Sequence, residues 1–311
     1  MWLYLVQFLA IVGLPLWLIA MLWRRADLDR VGWLLRATYS AAFIAYIFAV
    51  GRWDVVGLYG RYVIGALFLV AAVVSGLHTR RLPWFGRLDR SRWIQYATSI
   101  ACLIGFSAFL LWAVSGHVEP DDTTEVHLDF PLRDGWFYVG QGGAATIVNH
   151  HYRFPAQRYA LDVLQLNRLG LRARGLYPRE LDRYVIFNHP VLSPCDGEVI
   201  AAVDERPDLQ PPNSDREHVA GNHVVIACKG VEVLLAHLQR GSLQVDAGMA
   251  VWRGTVVARV GNSGNTSEPH LHVHAVQAGS GGIMRGTAVP IRFQGRFLAR
   301  NATLRSPGTS D

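Results

Sequence analysis

Hydrophobic and polar positions along this chain follow two regimes that meet near residue 118. Residues 2–23 (WLYLVQFLAIVGLPLWLIAMLW) carry no charge, a length able to span about 30 Å of hydrocarbon at about 1.5 Å per helical residue. Apolar runs recur at 31–51, 62–79 and 93–116. Four such runs crowded into the first 116 residues predict transmembrane helices rather than core helices of a soluble protein. Arg36 lies near the end of the second run, so its guanidinium is expected to snorkel to the interface. Beyond the break, short β-type runs stand between Gly, Pro, Asn and Asp: 184–188, 198–203, 222–228, 231–238, 255–260 and 270–276. Strands at this spacing without long intervening helices predict an antiparallel, mainly-β domain. Residues 204–221 are polar and proline-rich and read as a long loop. The expected organisation is four transmembrane helices over 1–117, a linker over 118–139, the β domain over 140–300 and a frayed tail over 301–311.

Composition and charge refine this division. A chain 51% hydrophobic and 17% charged, with mean hydropathy +0.18, is too apolar for disorder, and three cysteines are too few for a disulfide scaffold. Its net charge of +6 is unevenly shared: residues 1–118 hold 11 Arg and 4 acids, net +7, whereas residues 119–311 hold 18 Arg, Lys229 and 20 acids, net −1. The basicity belongs to the apolar half, which argues against a nucleic-acid partner. Arg24, Arg25, Arg30 and Arg36 flank the first connection, and Arg80, Arg81, Arg87, Arg90 and Arg92 the third; the second has only Arg52 and Arg61. Because positive residues stay cytoplasmic, this bias places the N-terminus and everything after residue 116 outside. Arg24 and Arg25 follow the first apolar run instead of preceding it, unlike a cleaved signal peptide. Trp2, Trp23, Trp33, Trp53, Trp93 and Trp112 lie near span ends, as interfacial anchors do. Paired intramembrane carboxylates and interrupted spans, the marks of a transporter, are missing from the sequence.

Chemistry concentrates at His270-Leu271-His272-Val273-His274. On a strand, alternate side chains share a face, so three imidazoles project together while Leu271 and Val273 enter the core. Neutral imidazole is a favoured Zn²⁺ ligand, and an open site needs three protein ligands plus water. His237, in LLAHL, is a second strand histidine able to converge there. His274 reads either as a residue supporting the site or as an incidental surface histidine.

The segment GNSGNTSEPHLHVH, together with the upstream AHL, SPCDGEV and AGNHVVI, resembles the lysostaphin/LytM-type zinc metallopeptidases over roughly residues 140–295. The resemblance implies a compact antiparallel β domain with a groove, peptide-bond hydrolysis in bacterial peptidoglycan, and thus a multi-pass inner-membrane protein with an extracytoplasmic C-terminal domain. It implies His272 as a zinc ligand and His237 and His270 as catalytic histidines. The family's other ligands come from a His-x-x-x-Asp element. Asp162 fits the aspartate, but Arg158 stands where the histidine belongs, and guanidinium cannot ligate a cation. His151, with ten residues between it and Asp162, is the preferred replacement, with His150 second. Zn²⁺ held by His151, Asp162 and His272 would lower the pKa of its water toward ~7, with His237 or His270 taking the proton.

Two other readings are open. A degenerate relative lacking the first ligand would bind cell wall or regulate a partner without hydrolysis. A carrier domain is suggested by Gly248-x-x-Val251-x-x-Gly254, but the neighbours of the single lysine, Lys229, do not fit a modified hairpin tip. Gly140-Gln141-Gly142-Gly143 is a turn rather than a phosphate loop. Cys195 and Cys228 flank neighbouring strand signals and form either a disulfide or two buried thiols, while Cys102 packs within the fourth span. Four spans exceed what anchoring needs, which leaves room for an unidentified membrane-protein partner.

Overall fold

The computed structural model describes residues 2–24, 29–121 and 125–306; Arg25 and residues 307–311 of the expected tail lie outside them. Two units divide between Val114 and Ser115.

Among the described residues, four helices are long and apolar enough to cross a membrane: Leu5–Trp23, Arg30–Val50, Gly60–Thr79 and Arg90–His117. The first passes through a π-turn, Leu9–Gly13, just before Pro15. Proline lacks an N–H and its ring crowds the carbonyl four residues back, and the widened turn accommodates both. Two carboxylates of this unit are paired near helix ends. Asp29 caps the second helix through Gly32 N (2.7 Å) and faces Arg92 at 3.4 Å, while Arg52 holds the buried Asp54 at 2.7 and 2.9 Å. Arg36 is only 8% exposed, so it does not reach outward as expected from its sequence position. Cys102 is a free thiol on an exposed helix face.

Among the described residues of the C-terminal unit the chain forms fourteen strands. They are β1 (Val126–Leu128), β2 (Gly135–Gln141), β3 (Leu161–Leu166), β4 (Pro190–Leu192), β5 (Gly197–Val203), β6 (Asn222–Cys228) and β7 (Val231–Leu238), then β8 (Ala250–Val251), β9 (Val256–Arg259), β10 (Leu271–Gln277), β11 (Ala288–Val289), β12 (Ile291–Phe293), β13 (Arg296–Phe297) and β14 (Thr303–Ser306). The main sheet runs β14-β2-β3-β10-β7-β6-β5-β8, and every neighbouring pair along it is antiparallel. Leu271, Val273 and Ala275 of β10 join Val163, Leu235 and Phe137 in the principal core, while the alternate residues His272 and His274 face the other side.

Three details depart from the sequence reading. The stretch expected to be a linker contains β1 and β2, and β2 pairs with both β3 and β14. Residues 303–306 of the expected frayed tail are therefore a paired strand. Residues 184–188 are not extended: Tyr184 and Ile186 are buried, but the chain turns through Phe187 N to Tyr184 O and His189 N to Ile186 O. Their apolar alternation reports burial in a turn rather than strand pairing.

Cys195 and Cys228 form a disulfide across 33 residues of sequence. Loop-closure entropy for a loop of that size is about 3–4 kcal/mol. A Cys195→Ser/Cys228→Ser chain is expected to lose about that much stability in chemical denaturation of the C-terminal unit.

Candidate metal centre

Strand register brings the key side chains together. His272 of β10 is the direct cross-strand partner of Asp162 on β3 and, on its other side, of Ala236 on β7. His237 follows Ala236 with φ +62°, a left-handed conformation uncommon for a non-glycine residue. This turn of the backbone lets its Nδ1–H donate to Ser263 O at 2.9 Å and directs Nε2 toward the cluster. His270 lies just before β10, where its Nδ1–H donates to Glu268 O at 2.8 Å. A buried Arg172–Glu268 pair at 2.6 Å holds that segment in place. Breaking this pair leaves an uncompensated buried charge, so Arg172→Met is expected to cost about 3–5 kcal/mol of stability, measured by denaturation.

His151 arrives from a short 3-10 turn, His150–Arg153. Asn149 fixes this turn: its Oδ1 accepts from His151 N at 3.1 Å, and its Nδ2 reaches the carbonyls of Gly143, Arg158 and Ala160. Sequence reasoning did not single out Asn149, because nothing in the local pattern marks an asparagine that will be wholly buried. Arg158 lies over the Tyr152 ring, at 5.4 Å from its centroid.

Three imidazoles converge on Asp162, with a fourth close by. His151 Nε2 is 3.0 Å from each carboxylate oxygen, and His272 Nδ1 is 2.9 Å and His270 Nε2 3.5 Å from Oδ1. The His237 ring centroid is 4.8 Å from that of His270. His150 is exposed and stacks on His151 at 3.8 Å. Its ligand atom lies within 4.8 Å of those of His151 and Asp162, so it stands beside the same carboxylate that His272 Nδ1 approaches at 2.9 Å. Burial pushes the Asp162 carboxyl up, but the His151 and His270 imidazoles more than offset this and hold it well below the usual range. Burial drives His237 down to about 3 and His274 down to about 4. Burial also opposes the charged form of His270, yet the Asp162 carboxylate and the Glu268 carbonyl raise it overall.

Imidazole nitrogens and one carboxylate at these spacings form an N/O donor set, without thiolate, that suits a small borderline cation such as Zn²⁺. The cluster lies at a cleft of about 430 Å³. Phe154 and Met284 line its rim, Leu234 and Ala236 its floor, and Val219 one wall. Val219 closes the long 204–221 loop, which is tied to the 261–266 turn by Asn265 N to Val219 O, Asp215 N to Gly264 O and Asp208 to Asn262 N.

Residues 182–282 match the sequence pattern of peptidase family M23. The C-terminal unit contains a peptidase family M23 domain. The matched segment includes His237, His270, His272 and His274, whereas His151 and Asp162 lie upstream of it. No curated protein matches the chain. Among solved structures, a zinc-containing peptidase from Vibrio cholerae is 20% identical over 52% of this chain and 38% of its own, with TM-score 0.32. The M23 metalloprotease pseudoalterin from the deep sea is 17% identical over 58% and 98%, with TM-score 0.32. The catalytic domain of lysostaphin from Staphylococcus simulans is 17% identical over 37% and 84%, with TM-score 0.26. The chain spans less than half the length of the first solved structures it resembles. Outside the M23 domain, the four apolar helices have no counterpart in the family match.

Proposed function

We propose that this protein is a membrane-anchored zinc metalloendopeptidase that hydrolyses peptide bonds, in peptidoglycan, on the outer side of the bacterial cytoplasmic membrane. The observation that carries this reading is the convergence of His151, His270 and His272 on Asp162 at an open, apolar-walled cleft. His151, Asp162 and His272 would hold the metal. Zinc, when bound, supplies Lewis acidity that polarises the scissile carbonyl and lowers the pKa of water toward ~7. His237 and His270 each have Nδ1–H committed to a backbone carbonyl, so in each neutral ring Nε2 is the nitrogen that can accept a proton; that of His270 stands 3.5 Å from Asp162 Oδ1. One of them takes the proton of the attacking water and returns it to the leaving amine. The cleft walls offer no carboxylate or guanidinium, so they favour small or apolar peptide side chains over charged ones. His151 supplies from a capped turn the imidazole that Arg158 cannot provide, which favours hydrolysis over a degenerate binding module.

The N-terminal unit serves as the anchor, and the arginine bias of nine against two supports an orientation with the M23 domain outside. A membrane-protein partner for the four helices is part of the same proposal, and nucleic acid is not. The test uses the full chain purified in detergent: zinc content, cleavage of peptidoglycan peptides, and loss of cleavage on chelation. A zinc-free chain that binds sacculi without cutting them would overturn hydrolysis in favour of the binding module. Protease digestion of spheroplasts checks orientation, since a protected C-terminal domain would reverse it.

A further inference from the structure

His274 is the buried imidazole that the proposed reaction does not use. It is 1% exposed, covered by the glycine-rich 278–286 segment. Its Nε2 is 2.9 Å from Ile283 O and its Nδ1 is 3.0 Å from His272 Nε2. A carbonyl oxygen only accepts, so His274 Nε2 carries its proton. A neutral imidazole has one N–H, so His274 Nδ1 is a lone pair. The 3.0 Å contact is then a hydrogen bond only if His272 Nε2 donates. A neutral His272 in that tautomer turns the Nδ1 lone pair toward Asp162 Oδ1, 2.9 Å away. Lone pair against carboxylate repels unless a cation lies between them.

The opposite assignment fails at the other end. If His272 Nδ1–H donated to Asp162, its Nε2 would be a lone pair and a neutral His274 would have to donate from Nδ1. Its Nε2 lone pair would then face the Ile283 carbonyl at 2.9 Å in a buried setting. Two acceptors opposed without a proton forfeit a hydrogen bond and its desolvation cost.

We propose that His274 is a positioning residue: the Ile283 carbonyl sets its tautomer, and His274 in turn sets the tautomer of His272 so that Nδ1 is presented to the metal. This rests on the zinc reading above and goes beyond it, since the 278–286 segment that supplies Ile283 O also supplies Met284 to the cleft rim. One stretch of chain thereby borders the substrate groove and orients a ligand. Partners of ligating histidines of this kind contribute roughly 10–100-fold to metal affinity.

The test measures zinc affinity of the full chain in detergent by competition with a chromophoric chelator. His274→Phe keeps a ring but removes both nitrogens, and zinc affinity is expected to fall roughly 10–100-fold. His274→Asn places an amide oxygen where Nδ1 stands, so it can still accept from His272 and is expected to remain within a few-fold of the parent. Thermal unfolding with excess chelator checks that each variant is folded. Affinity equal to the parent in folded His274→Phe, or an affinity more than tenfold below the parent in folded His274→Asn, would overturn the relay. Should His274→Phe not fold, His274→Leu, which also removes both nitrogens, is measured in its place, with the same loss of roughly 10–100-fold expected and the same overturning result. A parent chain that binds no zinc would overturn the metallopeptidase reading and the relay together; a zinc-binding parent with an indifferent His274 overturns the relay only.

Discussion

Replacement of His272 by alanine is expected to abolish bound zinc and peptide hydrolysis together. His272 is held on three sides: strand register sets it opposite Asp162 on β3 and Ala236 on β7, and its two ring nitrogens face Asp162 at 2.9 Å and His274 at 3.0 Å. No neighbouring side chain can move into its place, because the residues before and after it, Leu271 and Val273, are wholly buried in the core. An imidazole supplied by another element would have to break the sheet. Loss of a metal that polarises the carbonyl removes several kcal/mol of transition-state stabilisation, so hydrolysis should drop by about 10³-fold or more. Zinc content by mass spectrometry and turnover of a peptidoglycan peptide are the two measurements. Asp162→Asn should reproduce both losses, since it keeps the shape of the side chain and removes the charge on which three imidazoles converge. Full activity in His272→Ala would remove the basis of the proposed mechanism.

Much of this arrangement can be read from sequence, and the limits have physical causes. The four membrane-length helices follow from uninterrupted apolar runs, because a helix in hydrocarbon needs no specific partner to be recognised. Strands β6 and β7 match their expected bounds, since turn residues mark both ends of each run. Strand β3 was missed although it carries Asp162: LDVLQL is buried on both faces, which erases the alternation that marks a half-exposed strand. Strand β2 hides for the same reason within what reads as a linker. Within the candidate site, the His-Leu-His segment locates itself, whereas the choice between His150 and His151 depends on a turn fixed by the buried Asn149. Such long-range satisfaction of backbone carbonyls leaves no local trace. The role of His274 is likewise invisible in sequence, because its partner is a backbone carbonyl and any residue at 283 could provide it.

Replacing His270 by alanine is expected to separate metal binding from turnover. Three imidazole nitrogens approach Asp162, but not equally: His272 and His151 stand at 2.9 and 3.0 Å, His270 at 3.5 Å. The His270 ring is also anchored differently, with Nδ1–H held by the Glu268 carbonyl and the His237 ring tilted beside it, centroids 4.8 Å apart. That pairing suits a group that exchanges a proton with water beside the metal rather than one that grips the metal itself. Zinc content of His270→Ala should therefore stay at the parent level while kcat falls roughly 10²–10⁴-fold, the usual contribution of a general acid–base group. His237→Ala should behave in the same direction, because its ring makes no bond to Asp162 and its Nε2 is free. If zinc were lost from His270→Ala but retained by His151→Ala, the two imidazoles would have to exchange roles: His270 would be the ligand, and the proton would have to be taken by His237 alone.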